Sequence, residues 1–334
     1  MGINAVISAR LDGGSPSPFP FEYVYELVYT DSTGKLPILG LFDPWHGRLC
    51  TCPAKYSLAP YTGCSHACLY CYITSYIRDP FHARPKRDLL YRLGRGLRRG
   101  DRSKPVSMAN SSDPYTPPED RLGLTRKVLR LLYEEGFKVL IITKSNLVVR
   151  DLDIIRGGWC AVSLTITMLD DGLARLIEPG APPPSLRLKA LGEIASHGVP
   201  CSIRFDPIIP TVNDSLELVE ELVSKAAESG ASHIIASTYK AKPDNFKRLT
   251  SALTEAQRMK LEELYLRKGR RIGGSIYLPE DLRFRLLLRV RDAAARYGIS
   301  FSTCREGLAH LNEAESCDGT HLIPSVRKHL RHAL

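Results

Sequence analysis

The sequence predicts an α/β fold, a partial (β/α)6-type TIM barrel with N- and C-terminal extensions. From about residue 105 onward, short apolar runs alternate with segments of helical periodicity. Six or more such units fall within about 250 residues, the usual length of this fold. A doubly wound open sheet is the alternative, because periodicity does not distinguish a closed sheet from an open one. In either fold, the chemistry is expected at the carboxyl ends of the strands.

The individual elements follow from local patterns. The first strand is expected at "YSLAP", residues 56–60, and the second at residues 105–109. Residues 117–136 are predicted to form one helix, because prolines stand at its start, apolar residues share one face, and Gly136 ends it. Further strands, separated by helical patterns, are predicted at residues 137–143, 160–167, 199–205, 232–238 and 299–303.

The pattern divides the chain into three parts. Residues 1–54 contain the aromatic run "FPFEYVYELVY" and are expected to form a β-rich lead-in that packs on the core. Residues 55–305 are predicted to form the barrel, and residues 306–334 a C-terminal tail.

The composition is typical of a globular protein rather than of a membrane-spanning one. The chain has 334 residues, 43% of them hydrophobic, without an apolar run of the length that a membrane span needs. The start of the sequence lacks a basic, apolar leader, so a cytoplasmic protein with no membrane partner is expected. The net charge of +10 predicts a polyanionic partner such as nucleic acid, although solvated lysines and arginines would give the same value.

Nine cysteines in such a chain point to metal ligation or catalysis rather than to disulfides. Three of them, Cys64, Cys68 and Cys71, fall in "PYTGCSHACLYCY" with the spacing C-x3-C-x2-C. A structural zinc site usually takes four Cys or His ligands. A [4Fe–4S] cluster held by only three cysteines keeps one iron that can bind another molecule. A zinc knuckle or buried thiols are the alternatives.

The segment "CSHACLYC" resembles the cluster loop of the radical S-adenosylmethionine (radical SAM) superfamily, whose members have a barrel of the predicted kind. The motifs "SSDPYTPPE", "TKSNLVVRDLDII", "VSLTIT" and "EPGAPPPSLRLKAL" resemble its spore photoproduct lyase-like branch, also called DNA repair photolyase-like, over roughly residues 55–240. The resemblance implies a [4Fe–4S] cluster and S-adenosylmethionine, whose reductive cleavage gives a 5′-deoxyadenosyl radical that removes hydrogen from a substrate.

The resemblance also implies roles for single residues. Cys64, Cys68 and Cys71 match the cluster ligands, and Tyr72 matches a tyrosine that faces the substrate and relays the radical. The matched cofactor-binding positions are Tyr70, Ser112, Asp113, Lys144, Thr165 and Arg204.

One position departs from the branch. The lyase has a cysteine two residues before the serine matched by Ser112, and its thiol returns a hydrogen atom to the product radical; this chain has Asn110 there. An amide N–H bond is too strong for that role, so we do not expect a bona fide spore photoproduct lyase. Cys304 ends a predicted strand and is a candidate hydrogen donor, whereas Cys160 and Cys201 lie near strand starts and are expected to be packing residues.

Cys304 has a second candidate role. Cys50 and Cys52 precede the cluster loop, and Cys317 follows Cys304. These four cysteines could form a second metal site, with zinc or an auxiliary cluster, that ties the N-terminal lead-in to the C-terminal tail. Unpaired thiols in loops are the alternative.

Three functions are consistent with these features. The first is a radical SAM enzyme that repairs or modifies a nucleic acid base and receives electrons from a donor such as ferredoxin or flavodoxin. The second is a radical SAM enzyme that acts on a small molecule, peptide or lipid. The third is a non-catalytic metal- and nucleic-acid-binding module, which has no need of the predicted cofactor residues at successive strand ends.

Overall fold

The computed structural model describes residues 5–8, 26–29, 38–42, 47–108 and 111–325. The strands are β1 (Ala5–Ser8), β2 (Glu26–Tyr29), β3 (Gly40–Leu41), β4 (Tyr56–Leu58), β5 (Tyr61–Thr62), β6 (Arg84–Pro85), β7 (Val106–Met108), β8 (Val139–Thr143), β9 (Cys160–Thr165), β10 (Cys201–Ile208), β11 (His233–Thr238), β12 (Arg270–Ile272), β13 (Ser275–Tyr277) and β14 (Ser300–Thr303). The α-helices are α1 (Leu89–Leu97), α2 (Glu119–Leu122), α3 (Leu124–Glu134), α4 (Leu152–Ile155), α5 (Asp171–Ile177), α6 (Pro184–Ser196), α7 (Leu216–Glu228), α8 (Pro243–Ser251), α9 (Glu255–Glu262) and α10 (Glu280–Arg296).

The main sheet has eight strands in the order β14-β11-β10-β9-β8-β7-β4-β3. The seven strands from β4 to β14 are parallel, and β3 pairs antiparallel with β4 at one edge. The parallel strands follow one another in chain order without the reversal that defines a doubly wound sheet. This strand order confirms the predicted α/β fold, a partial barrel, and excludes a doubly wound sheet.

The parallel strands form because most of their residues are apolar or small and are covered on both faces. All residues of β9 and β11 are buried, as are those of β7. The observed bounds differ from the predicted ones by a few residues. Strand β10 extends to Ile208, three residues beyond the expected end, and β4 ends at Leu58, two residues early.

The predicted helix over residues 117–136 is wrong in one respect, because the structure divides it into α2 and α3. Gly123 lies between the two helices with a φ of +55°, in the left-handed region that glycine adopts at little cost. The apolar face of α3, with Val128, Leu129 and Leu132, is fully buried against the sheet.

The described part of the C-terminal segment belongs to the barrel. The Glu313 amide donates to the Phe301 carbonyl at 2.9 Å and so covers the open edge of β14. Further along, Ile323 packs against Leu140 and Ala161, the second residues of β8 and β9. Residues 316–323, which we call the C-terminal plug, therefore fill the amino end of the barrel.

The N-terminal lead-in contributes β1 and β2, which pair antiparallel with each other. No helix among the described residues is both long and apolar enough to cross a membrane.

Candidate active site

The three closely spaced cysteines lie in one loop between β5 and the 3-10 turn Tyr72–Ser75. Gly63 opens this loop with a φ of +78°, and a Cβ there would lie 2.5 Å from the His82 carbonyl oxygen. The Cys64 amide donates to the Pro80 carbonyl at 2.7 Å, and the Cys71 amide to the Cys68 carbonyl at 3.1 Å. The fold thus brings three thiols together in a compact loop that requires glycine at its first position.

A second segment clamps the cysteine loop from the other side. The Leu69 amide donates to the Ile177 carbonyl, and the Gly180 amide to the His66 carbonyl, each at 2.9 Å. A Cβ on Gly180 would lie 2.0 Å from the Ser65 carbonyl oxygen, so only glycine fits at this position. The end of α5 therefore fixes the path of the cysteine loop.

Glu178 is the centre of a buried ionic network behind this clamp. Its carboxylate accepts hydrogen bonds from the Tyr70 hydroxyl and, at 2.9 Å, from Thr167. The Arg187 guanidinium lies 2.5 Å away and the Lys144 ammonium 3.9 Å away. Burial by itself would raise the pKa of Glu178, but Arg187 and Lys144 lower it to about 2. The carboxylate is thus ionised and holds Tyr70 and Lys144 in place.

Asp113 joins the ends of β7 and β8. It accepts hydrogen bonds from the Thr143 hydroxyl at 2.6 Å and from the Lys144 amide at 2.7 Å. His66 of the cysteine loop places its Nδ1 3.4 Å from the same carboxylate. Burial opposes ionisation, but His66 and the hydrogen bonds keep the pKa of Asp113 below its ordinary value. Asp113 therefore orients the backbone from which Lys144 projects.

Two other predicted cofactor residues lie at the same end of the barrel. The buried Ser112 hydroxyl donates to the Gly63 carbonyl, so this serine ties the loop after β7 to the cysteine loop. Thr165 is the last residue of β9 and is also buried, while its carbonyl accepts a hydrogen bond from Arg187 at 3.1 Å. Cofactor binding by Ser112 and Thr165 stays a prediction.

Arg204 belongs to a second ionic network, in the half of the barrel formed by β10, β11 and β14. Its guanidinium lies 3.3 Å from Asp206, which also accepts a hydrogen bond from Ser237 at 2.6 Å. Lys240 donates to Ser237 at 3.0 Å and pairs with Glu306 at 2.9 Å. Burial opposes the charge of Arg204, but the neighbouring Asp206 carboxylate raises the pKa of its guanidinium. Arg204 thus forms an ion pair with Asp206. It also lies near the carboxyl end of the barrel, where the cofactor is expected.

Tyr72 and Cys304, the two predicted catalytic residues, share Asp206 as a charged neighbour. Tyr72 is 49% exposed, and its ring is tilted against that of Tyr76 with centroids 6.1 Å apart. Cys304 is half-buried and lies near both Tyr72 and Arg204. Burial raises the pKa of the Cys304 thiol, so it carries its proton at neutral pH. Asn110, the position that departs from the lyase branch, lies outside the described residues.

The structure also brings together the cysteines of the predicted second site. The Cys52 and Cys317 sulfur atoms are 3.5 Å apart. Hydrogen bonds with Cys317 and Cys50 lower the pKa of the Cys52 thiol, and Cys304 acts electrostatically on Cys317. Next to them, Lys55 and Asp318 form a buried ion pair.

No disulfide joins any of the nine cysteines, all of which lie in the described residues. Within those residues, no three His, Cys, Asp or Glu side chains are grouped closely enough to hold a single metal ion. Cys160 and Cys201 are buried, and burial raises the pKa of each thiol to about 12, as expected for packing residues.

The comparisons with known proteins identify the family of this site. Residues 58–223, about half of the chain, match the model of the Radical SAM superfamily. The chain belongs to the Radical SAM superfamily. The matched region contains the whole cysteine loop and the Glu178 network, which are therefore parts of a radical SAM core.

Two curated relatives each match about half of this chain. An uncharacterized protein of Mycobacterium tuberculosis is 30% identical over 196 residues, which cover 54% of this chain and 58% of that protein. An uncharacterized protein of Methanocaldococcus jannaschii is 30% identical over 175 residues, covering 50% of this chain and 66% of that protein. The chain thus spans less than two thirds of the length of these curated relatives.

A solved structure confirms the fold. A spore photoproduct lyase mutant with bound S-adenosylmethionine and a dinucleoside spore photoproduct superposes with a TM-score of 0.60 at 17% identity. The superposition covers 78% of this chain and 80% of the lyase. The partial barrel of this chain is therefore similar to that of spore photoproduct lyase.

The donor set fits the [4Fe–4S] cluster that the family implies. Thiolates of such a cluster bind different irons, so Cys64, Cys68 and Cys71 need not converge on one point as the ligands of a single ion do. All three project from one loop, whose shape depends on close backbone approach at Gly63 and Gly180. These three cysteines would hold the cluster.

Sequence reasoning missed Glu178 and Arg187, and it identified His66 only as a weak metal-ligand candidate rather than as the partner of Asp113. Glu178 and Arg187 stand within the quoted motif "EPGAPPPSLRLKAL", and His66 within the cysteine loop itself. A charged residue in an otherwise apolar stretch was the available signal, since charged side chains are rarely buried without a partner. Which partner each one has, however, depends on how the strands and helices pack.

Proposed function

We propose that this protein is a radical SAM enzyme that removes a hydrogen atom from a nucleic acid base, in the repair or the modification of that base. Membership of the Radical SAM superfamily supports the enzyme class. The observation that carries the substrate class is the net charge of +10, which suits a polyanionic substrate. The fold similarity adds support, because the similar barrel of spore photoproduct lyase holds a dinucleoside lesion.

The residues of the chain would divide the work as follows. Cys64, Cys68 and Cys71 would hold the cluster, which, when bound, would offer S-adenosylmethionine an iron without a protein ligand and supply the electron for its reductive cleavage. Lys144 presents a cation beside Glu178 and suits the carboxylate of S-adenosylmethionine. Glu178 keeps this lysine in place.

The substrate side would be formed by Tyr72. Its 49% exposure suits a side chain that meets a macromolecular substrate at the mouth of the barrel, and it directly follows the last cluster cysteine. Tyrosine stacks on bases and can also relay a radical, so one residue would serve both purposes. Cys304 has two predicted roles that exclude each other, because a metal-bound thiolate has no S–H hydrogen to donate.

The enzyme class is tested by product formation. The protein is purified anaerobically, reconstituted with iron and sulfide, and incubated with S-adenosylmethionine and dithionite. We expect 5′-deoxyadenosine, detected by liquid chromatography and mass spectrometry. A fully loaded cluster that gives no 5′-deoxyadenosine would overturn the proposal.

The substrate class is tested by binding across a salt series. We expect DNA or RNA affinity to fall steeply between 50 and 200 mM salt, by about 10-fold or more if several phosphates are contacted. A weak and salt-independent response would favour a small molecule, peptide or lipid as substrate. A cluster-free protein that binds nucleic acid and yields no 5′-deoxyadenosine would favour a non-catalytic module.

The proposal also includes a protein that donates electrons and a location in the cytoplasm. A small reductase partner such as ferredoxin or flavodoxin would replace dithionite, and 5′-deoxyadenosine formation with either reduced protein tests this. The nine cysteines without a disulfide suit a reducing compartment, so we place the enzyme in the cytoplasm.

A further inference from the structure

Four cysteines outside the radical SAM loop gather where the two edges of the open sheet face each other. Cys50 and Cys52 lead into β4, near one edge, and Cys304 follows β14, the other edge. Leu49 and Thr51, which flank Cys50, line a cavity of about 220 Å³ together with Thr303 and Arg305, which flank Cys304, so the two segments are adjacent. Cys317 comes from the C-terminal plug. The four thiols therefore come from three separate segments of the chain.

The distances within this group distinguish between kinds of site. The Cys52 and Cys317 sulfurs are 3.5 Å apart, close to the separation of about 3.8 Å expected for two thiolates on one tetrahedral zinc with Zn–S bonds of about 2.3 Å. A disulfide would need the sulfurs to approach to about 2.05 Å. Two ligands on different irons of a cubane cluster would stand farther apart. The distance between the Cys52 and Cys317 sulfurs therefore fits two ligands of one tetrahedral zinc ion.

The surroundings suit an anionic thiolate site. Cys50 is hydrogen-bonded to Cys52, and the Lys55 ammonium, itself buried and paired with Asp318, acts on the same thiol. A neighbouring cation of this kind stabilises the negative charge of metal-bound thiolates. The described residues hold no preformed group of three ligands, so Cys50 and Cys304 would turn toward the Cys52–Cys317 pair when the ion binds.

We propose that Cys50, Cys52, Cys304 and Cys317 bind a structural zinc ion that fastens the two edges of the partial barrel to the C-terminal plug. Each thiol gives up its proton on binding, and the zinc keeps its charge, so the site needs no oxidant or reductant. The zinc closes the seam that the hydrogen-bonded sheet leaves open between its edge strands, β3 and β14. The zinc takes no part in the radical chemistry proposed above, and Cys304, as a zinc ligand, would not be its hydrogen donor.

The test measures metals rather than activity. Zinc and iron are quantified by mass spectrometry in anaerobically purified wild type and in Cys52→Ser, Cys317→Ser and Cys304→Ser. We expect about one zinc per chain in wild type, at least a 10-fold weaker zinc affinity in each variant, and unchanged cluster iron. Cys201→Ser, which removes another buried thiol, is the matched control and keeps its zinc.

Cobalt substitution gives a second readout. In the Cys68→Ala background, which lacks the strongly coloured cluster, added Co²⁺ is expected to show the visible bands of tetrahedral thiolate coordination, and Cys317→Ser abolishes them. This readout also serves if a serine variant folds poorly, because it is recorded before any second substitution is made.

Four outcomes would overturn the proposal. Wild type without zinc is one, and a disulfide between Cys52 and Cys317 found by thiol counting under anaerobic conditions is another. Extra iron that disappears in Cys317→Ser would replace zinc by an auxiliary cluster. Full zinc affinity in Cys304→Ser would remove Cys304 from the site and return it to the role of hydrogen donor.

Discussion

The two ends of the barrel differ in how their buried polar groups are arranged. At the carboxyl end, ionised side chains cluster around two carboxylates, Glu178 and Glu306, which pair with arginine and lysine. At the amino end, the C-terminal plug fills the space, with Ile323 against Leu140 and one ion pair between Lys55 and Asp318.

This difference reflects what each end does. Buried charges are costly and occur only where partners or ligands compensate them, so their concentration at the carboxyl end makes it the candidate site for charged molecules. The amino end carries few charges and mainly closes the core. Changes at the carboxyl end should therefore alter cofactor binding and activity, whereas changes at the amino end should alter stability and leave cofactor binding unchanged.

The largest effect is expected at the cysteine loop. Cys68→Ala removes one cluster ligand, so we expect loss of the cluster absorbance and of all 5′-deoxyadenosine formation. The measurement is the visible spectrum and the product assay after reconstitution. Cys201→Ala, a buried thiol elsewhere, should keep both. Near wild-type absorbance in Cys68→Ala would contradict the ligand assignment.

Glu178→Gln tests the ionic network behind the loop. The substitution leaves Arg187 and Lys144 without their carboxylate, and removal of one partner of a buried pair costs about 3–5 kcal/mol. We expect a loss of about 4 kcal/mol in the free energy of unfolding, measured by urea denaturation, together with weaker binding of S-adenosylmethionine. The exposed Glu193→Gln on α6 is the control. A variant that changes neither quantity would show that Glu178 does not organise the site.

Asp318→Asn is the corresponding change at the amino end. Lys55 would remain buried and charged without its partner, which predicts a loss of about 3 kcal/mol in unfolding free energy. Cluster content and S-adenosylmethionine binding should be unchanged, in contrast to Glu178→Gln. The exposed Glu315→Gln serves as control. Loss of S-adenosylmethionine binding in Asp318→Asn would contradict the claim that only the carboxyl end of the barrel governs cofactor binding.

The smallest effect concerns the pH dependence of stability. Burial, reinforced by the charges of His321 and Arg204, lowers the pKa of His233 to about 3, against about 6.5 in the unfolded chain. Between these two pH values His233 is protonated in the unfolded chain but neutral in the folded one. The free energy of unfolding therefore falls as the pH drops below about 6.5. At pH 5 the loss is about 2 kcal/mol.

The variant His233→Gln should lose this part of the pH dependence. Urea denaturation at several values between pH 7 and pH 5 measures the slope for wild type and variant. The exposed His82→Gln is expected to keep the wild-type slope. An unchanged slope in His233→Gln would show that His233 is not held neutral in the folded barrel.

Local patterns predicted much of this molecule. The spacing of Cys64, Cys68 and Cys71 indicated the cluster loop, and apolar runs located the seven parallel strands to within a few residues. Both signals are local, because a metal loop is one short segment and a buried strand is one apolar run. The division of residues 117–136 at Gly123 was missed, since a glycine within a helical pattern does not reveal its φ angle.

The sequence by itself thus determined the order of the strands along the chain and the enzyme family, and it predicts the cluster ligands. The tertiary structure decided which charges pair, that Tyr70 is held by Glu178, and that the C-terminal plug closes the amino end. It also placed Lys55 beside Asp318 and Cys52 beside Cys317, pairs that are 263 and 265 positions apart. Such partners meet only when the sheet curves and its two edges approach each other, and no local pattern encodes that approach.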